Sequence, residues 1–209
     1  MNVFIGHYHQ VLEAFHQISP VDLILVESVE KAGSVILEYA ERHRIPLRVT
    51  RTSQDINDAL TECSVRLAVV ASFGVILRSP AICACEKIVN FHPGDVEYFR
   101  GRHPLPQTIL NKWPDMCLTA HFIENESIDS GPLLRRLSLP INYDGSFEEN
   151  YARLRKQLFS FASEALIQVL SGNYYARPFS PKINSYYRPL SSEVLSRILS
   201  AERLKDIVL

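Results

Sequence analysis

Asn90 and His92 stand two positions apart at the end of an apolar run, Lys87-Ile88-Val89-Asn90-Phe91-His92, and Pro93-Gly94 follows at once. Side chains alternate along an extended segment, so the two project from one face. An Asn amide carries two N–H donors and an imidazole one or two. Side by side they can stabilise an oxygen on which negative charge develops, a role in which losing one donor costs roughly 3–4 kcal/mol of barrier. The plainer alternative is that both satisfy backbone groups at a strand end. Asp129, within Ile128-Asp129-Ser130-Gly131, reads as a loop carboxylate ahead of a strand from Leu133 to Leu137. Near His92 it would raise the imidazole pKa and could take a proton from an attacking group; alone it reads as a turn-capping Asp. Sequence separation leaves the distance between them open.

The elements that must hold these residues are written in the periodicity. Strand-like runs at Val3 to Gly6, Val21 to Val26, Leu47 to Thr50 and Arg66 to Phe73 alternate with helical patterns. The first helix carries Val11, Leu12, Phe15 and Ile18; the second spans Lys31 to Arg44; Ser53 is placed to cap a third through Leu60. Such alternation predicts an α/β fold with a mainly parallel sheet and helices on both faces, whose ligands lie beyond the carboxyl ends of the strands. A short helix is expected at Leu105 to Leu110. Ser146 and Glu149 form a capping box for a long helix that ends at Gly172. Beyond it the Tyr- and Pro-rich stretch from Tyr174 to Tyr187 predicts an extended or hairpin segment, followed by a helix from Ser191 to Leu209. The expected division is thus a main domain over 1–172 and an appendage over 173–209.

Composition narrows the partners. Among 209 residues, 22 basic and 23 acidic side chains give a net charge of −1, which supplies no electrostatic footprint for nucleic acid or an anionic membrane. A small-molecule partner is favoured. Cys63, Cys83, Cys85 and Cys117 lack C-x-x-C spacing, and no signal-peptide order is present at the start, so mostly buried, reduced thiols in a cytoplasmic protein are expected. No apolar run approaches a membrane span. His7 and His9 have no carboxylate beside them in sequence, and no metal site is expected.

Taken together, Asn90-Phe91-His92-Pro93, Arg100-Gly101, Thr119-Ala120-His121-Phe122 and Ile128-Asp129-Ser130-Gly131 resemble the signature of the 10-formyltetrahydrofolate-dependent formyltransferases, over a region from about Arg66 to Leu139. The resemblance implies a Rossmann-like formyltransferase fold with a short C-terminal extension. It implies that Asn90, His92 and Asp129 form a catalytic trio acting on 10-formyltetrahydrofolate as co-substrate. It further implies that the pteridine lies against backbone groups of Phe73, Gly74, Val75, Ile76 and Leu77, with the loop from Glu124 to Ile128 as the other wall. Arg100 and Arg102 could meet an acceptor's phosphate or carboxylate, and His7 and His9 could line its pocket; the bland readings are a solvated loop and incidental histidines. The chain departs from the family pattern at Gly94, Asp95, Val96 and Glu97, and its loop between His121 and Asp129 is one residue longer than usual.

Within that family the acceptor expected is a small primary amine, with an amino sugar carried on a nucleotide favoured by the short aromatic tail. Gly6-His7-Tyr8-His9 has no glycine-rich phosphate loop, which disfavours glycinamide ribonucleotide. The near-neutral charge disfavours a tRNA acceptor. Formyltetrahydrofolate hydrolysis, a glycinamide ribonucleotide transformylase-like activity and a non-catalytic folate-binding module are the alternatives, and a homodimer is compatible with the tail.

Overall fold

The computed structural model describes residues 1–207 and shows a seven-stranded sheet in the order β3-β2-β1-β4-β5-β7-β8. These strands are β1 (Asn2–Gly6), β2 (Leu23–Val26), β3 (Leu47–Val49), β4 (Val65–Ala71), β5 (Cys85–His92), β7 (Asp115–Phe122) and β8 (Leu133–Pro140). The first five pair in parallel; β7 then pairs antiparallel to β5, and β8 antiparallel to β7 at the edge. Strand β7, which the apolar pattern did not announce, pairs with β8 over its whole length from Asp115↔Pro140, and so carries β8 three residues past the expected Leu137.

Alternation along the strands sorts the core into two layers. Phe4, Ile24, Val26, Val69 and Phe91 pack on one face against α1 (His9–Ile18), α2 (Val29–His43), α5 (Pro104–Leu110), α6 (Phe147–Ser171) and α7 (Ser192–Ser200). Val3, Ile5, Leu25, Val70 and Ile88 face α3 (Ser53–Thr61) and α4 (Ser79–Cys83). Period-two burial on both faces is what a parallel sheet with helices on each side requires.

Local caps fix several boundaries. Ser28 accepts from Lys31 N–H, so α2 begins at Val29 rather than at Lys31. For α3 the cap is Thr52, not Ser53: Thr52 and Asp55 form a reciprocal capping box. The box expected at Ser146 and Glu149 is present, and the long α6 ends before Gly172 as read. Strand β4 stops at Ala71 instead of Phe73 because Ser72 turns into the left-handed region at φ +58°.

The stretch after Gly172 runs largely extended, with one turn at Lys182–Ser185, and among the described residues forms no strand pair with itself. Arg177 bridges Leu133, and β9 (Tyr186–Tyr187) pairs in parallel with β6 (Arg100–Gly101). Helix α7 is shorter than expected: it ends at Ser200, and backbone N–H groups of Leu204 and Lys205 donate instead to the carbonyls of Gly145 and Tyr143. Val208 and Leu209, the end of the helix as expected, lie outside the described residues. The cysteines are free, but only Cys117 is fully buried; Cys83 is exposed, because it closes a five-residue helix at the surface. Among the described residues no helix is long and apolar enough to cross a membrane.

Candidate active site

The carboxyl end of β5 delivers Asn90 and His92, and the antiparallel register sets Asn90 opposite His121 and His92 opposite Thr119. A bulge between Ala120 and His121 marks the place where β7 departs from regular pairing with β8. The loop joining β7 to β8 then returns Asp129 over this edge. Asn90 Nδ2 donates to Asp129 Oδ1 at 3.1 Å, and His121 Nε2 lies 3.0 Å from the same amide nitrogen. His121 Nδ1 faces the Phe122 carbonyl at 3.0 Å and carries hydrogen there; as an imidazolium its Nε2 donates to Asp129 Oδ1, 3.4 Å away, and in the neutral ring Nε2 accepts Asn90's second N–H. With that ring neutral both amide hydrogens of Asn90 are engaged, and a substrate oxygen has to compete for one.

His92 is oriented from the other side. Its Nε2 lies 2.8 Å from the Phe99 carbonyl, which can only accept, so Nε2 carries hydrogen and Nδ1 is left facing Asp129 Oδ2 at 3.6 Å. Asp129 Oδ2 also accepts from Gly101 N–H at 2.9 Å. Burial by itself would raise the Asp129 pKa, but His92, His121 and the Gly101 amide outweigh it and hold the carboxyl well below the ordinary carboxylate range. The backbone is strained at the same point. Asp129 has φ +47°, a left-handed conformation that non-glycine residues adopt mainly where surroundings enforce it. At Gly131 any side chain would collide with the Phe122 carbonyl, so the loop can pass over β7 only with glycine there.

The two stretches expected to flank a pterin lie beside this cluster. Phe73, Gly74 and Val75 are half-buried and Leu77 is buried in the loop after β4; Ile128 is half-buried and Glu124 exposed in the loop after β7. Glu126 ties the two together. It accepts from Ser79 N–H and Oγ, each at 2.8 Å, and pairs with Arg78 at 2.8 Å. Those bonds lower its pKa to about 2, the Ser79 amide contributing most. Gly74 N–H donates to Glu27, a buried carboxylate at the end of β2 that also pairs with Lys31. A side chain at Gly74 would collide with Glu27 and with the guanidinium of Arg102, which places Arg102 over this loop.

The other expected acceptor contacts are distributed differently. Arg100 points inward: its Nε donates to Ser185 Oγ and its Nη1 to the Ile128 carbonyl, each at 3.1 Å. His7 and His9 line a cavity of about 350 Å³ with Tyr8, Ser72, Tyr151 and Arg155. It opens at the carboxyl ends of β1 and β4, where the strand order reverses and open α/β sheets bind their ligands. Both ring nitrogens of His7 are buried without a hydrogen-bond partner, and burial lowers its pKa. Among the described residues no group of three His, Cys, Asp or Glu side chains could hold a metal.

His121, Glu27 and Glu126 were not singled out from sequence. His121 stood inside a quoted motif, but its role follows from the antiparallel register with Asn90. Glu27 carried a signal that was available, an acidic residue ending an apolar strand run. Glu126 is one of several exposed loop acids and carried none.

The chain is 28% identical over 152 residues to methionyl-tRNA formyltransferase from Sulfurimonas denitrificans, covering 73% of this chain and 47% of the relative. It spans less than half the length of the curated relatives it matches. In structure it is similar to an N-formyltransferase from Helicobacter canadensis in complex with folinic acid and dTDP-3-aminofucose, with TM-score 0.74 at 16% identity over 89% of this chain and 70% of that one. It is also similar to phosphoribosylglycinamide formyltransferase from Bacillus halodurans, with TM-score 0.71 at 20% identity over 81% and 94%. The family model for formyl transferase matches residues 11–170, three quarters of the sequence, and the chain belongs to that family.

Proposed function

We propose that the protein transfers a formyl group from 10-formyltetrahydrofolate to the primary amine of a small acceptor, with an amino sugar on a nucleotide as the favoured acceptor. The observation that carries this reading is the convergence of Asn90, His92 and Asp129 at the carboxyl end of β5. The folate supplies the formyl carbon. Asp129 accepts an N–H hydrogen of the amine as its nitrogen bonds to that carbon; the bond from the carbon to N10 of the folate then breaks, N10 takes that proton, and tetrahydrofolate leaves with the carboxylate restored. His92, whose Nε2–H is held by the Phe99 carbonyl, turns Nδ1 to the reacting atoms and as an imidazolium donates from it. Asn90 offers an amide hydrogen to the formyl oxygen, taken over from His121 or Asp129 as charge develops there.

The folate is assigned to the clamped loops around Phe73, Gly74, Val75, Leu77, Glu124 and Ile128, with backbone groups doing the recognition. The acceptor is assigned to the cavity beneath His7 and His9. Two strand spacings, about 10 Å, separate β1 from β5, so an acceptor reaching both must hold its amine about that far from the group in the cavity. Arg155, Ser72 and the Tyr8 and Tyr151 hydroxyls line the cavity and suit an anionic group such as a phosphate. The ligands named for the Helicobacter canadensis neighbour, a folate and an amino-sugar nucleotide, support the same pairing.

Release of tetrahydrofolate, followed with and without a panel of amines that includes nucleotide-linked amino sugars, tests the reading. Release only with an amine is expected. Release without one would make the protein a hydrolase, and binding without release would make it a folate-binding module.

A further inference from the structure

Arg100 turns its Nε and Nη1 to its own chain. Its backbone N–H donates to the Ser185 carbonyl at 2.8 Å and its Nε to the Ser185 hydroxyl, while Nη1 reaches the carbonyl of Ile128, the residue before Asp129. The next residue, Gly101, gives its N–H to Asp129 Oδ2. The parallel pair Arg100↔Tyr186 and Gly101↔Tyr187 locks this two-residue strand to the C-terminal segment, and Phe99 stacks on Tyr187 with ring centroids 5.6 Å apart. Gly101 has φ +92°, and any side chain there would collide with the Tyr187 carbonyl, so the close approach is built for glycine. Ser185 is 2% exposed. The bonds form one continuous line: Ser185 holds Arg100, and Arg100 with Gly101 holds the strained Ile128-Asp129 turn.

We propose that Arg100 is a positioning residue, with Ser185 acting through it, so that the C-terminal segment sets the placement of the Asp129 carboxylate. The inference rests on the reading of Asp129 as proton acceptor. A guanidinium whose Nε and Nη1 hold internal oxygens, one of them on a buried serine, is a poor candidate for gripping an acceptor. It is well suited to enforcing the left-handed turn at Asp129, because the Ile128 carbonyl it grips belongs to the peptide bond that leads into that turn. Releasing the grip lets the turn relax, and the carboxylate then moves away from Gly101 N–H, His92 and His121, the groups that face it.

The test reads turnover and the Asp129 carboxyl separately. In Arg100→Ala, kcat should fall roughly tenfold to a hundredfold, as misplacing a reacting group does, while KM for the acceptor stays within about twofold. The Asp129 carboxyl, followed by carbon NMR without substrate, should titrate at higher pH than in the wild type. Ser185→Ala should move both readings the same way by a smaller factor, roughly threefold in kcat for one hydrogen bond, and Ser185→Thr, which keeps the hydroxyl, should restore them. If Arg100→Ala does not fold, the two Ser185 variants carry the test alone. A raised acceptor KM with unchanged kcat in Arg100→Ala, or an unmoved Asp129 titration in Ser185→Ala, overturns the proposal. Failure of the broader reading looks different: Asp129→Asn would turn over normally even though the carboxyl titration responds to Ser185.

Discussion

Two carboxylates sit at the carboxyl edge of this sheet, and their surroundings differ in one decisive respect. Glu27 and Asp129 are both largely buried, both accept a glycine N–H, from Gly74 and Gly101 respectively, and both lie near histidine. In each, burial alone would raise the pKa and the neighbours outweigh it, leaving the carboxyl lowered. The neighbours, however, are not alike. Glu27 is paired with the ammonium of Lys31. Asp129 is faced by two imidazoles and an amide, groups that can gain, lose or redirect a hydrogen. Under the proposed mechanism Glu27, with its fixed countercharge, is a pin, and Asp129, with exchangeable partners, is the proton acceptor. Geometry at the glycine end is shared, so the partner's chemistry separates structural from reactive acid.

Removing the charge from each acid should separate the roles. Asp129→Asn, and His92→Ala beside it, are expected to lower turnover at least ~100-fold while a folate analogue still binds, as the proposed assignment of the folate to loop backbone requires. Near-normal turnover in either would erase the distinction. Glu27→Gln is expected to act on the loop instead: KM for the folate donor rises roughly threefold to tenfold and kcat changes by less than about threefold. Stability should fall by about 1–3 kcal/mol as a charged hydrogen bond to Gly74 is weakened. Steady-state kinetics with urea unfolding of the same variant checks both parts, and a kcat effect as large as that of Asp129→Asn would make Glu27 reactive too.

The two acids were not equally legible. Asn90 and His92 could be read because period two and a Pro-Gly break declare their shared face locally, and the parallel half of the sheet follows from strand and helix alternation. Asp129 was visible as a residue, but its closeness to His92 depends on a loop crossing an antiparallel strand, and spacing cannot give that. The same strand carries His121, whose partnership with Asn90 is a matter of register. Arg100 looked like an open cation because a sequence shows charge and not the buried serine 85 positions away that takes it up. Thr52 prevailed over Ser53 as cap because Asp55, three residues after Thr52, completes the reciprocal bond.

Acid sharpens the comparison further. The folded pKa of Asp129 is depressed, so its contribution to stability is complete above the unfolded carboxyl value of about 3.9 and is lost as pH falls through the folded value. The stability difference between wild type and Asp129→Asn should therefore be flat from pH 8 to about 5 and change only below about 4. His121→Phe removes one of the groups that lower the pKa, which should move the onset of that change to higher pH. Urea midpoints across pH 3 to 7 for the three proteins measure it. A difference that varies already near neutrality would mean that the imidazoles and not the carboxylate dominate the linkage.

The smallest expected effect concerns the pin's own countercharge. Lys31 is 55% exposed, so much of its interaction with Glu27 is screened by water, and half-exposed pairs of this kind contribute about 0–1 kcal/mol. Lys31→Met should leave the melting temperature within a few degrees of wild type and the folate KM within about twofold, because the Gly74 N–H still holds Glu27 ionised. Water can replace an ammonium at the surface, whereas nothing replaces a backbone amide inside the loop. A loss above about 2 kcal/mol in thermal unfolding, or a folate KM shifted as far as in Glu27→Gln, would show that the fixed charge holds the loop and the amide only follows it. The contrast with Asp129 would then lie in the strength of the pairing and not in whether the partner can part with its proton.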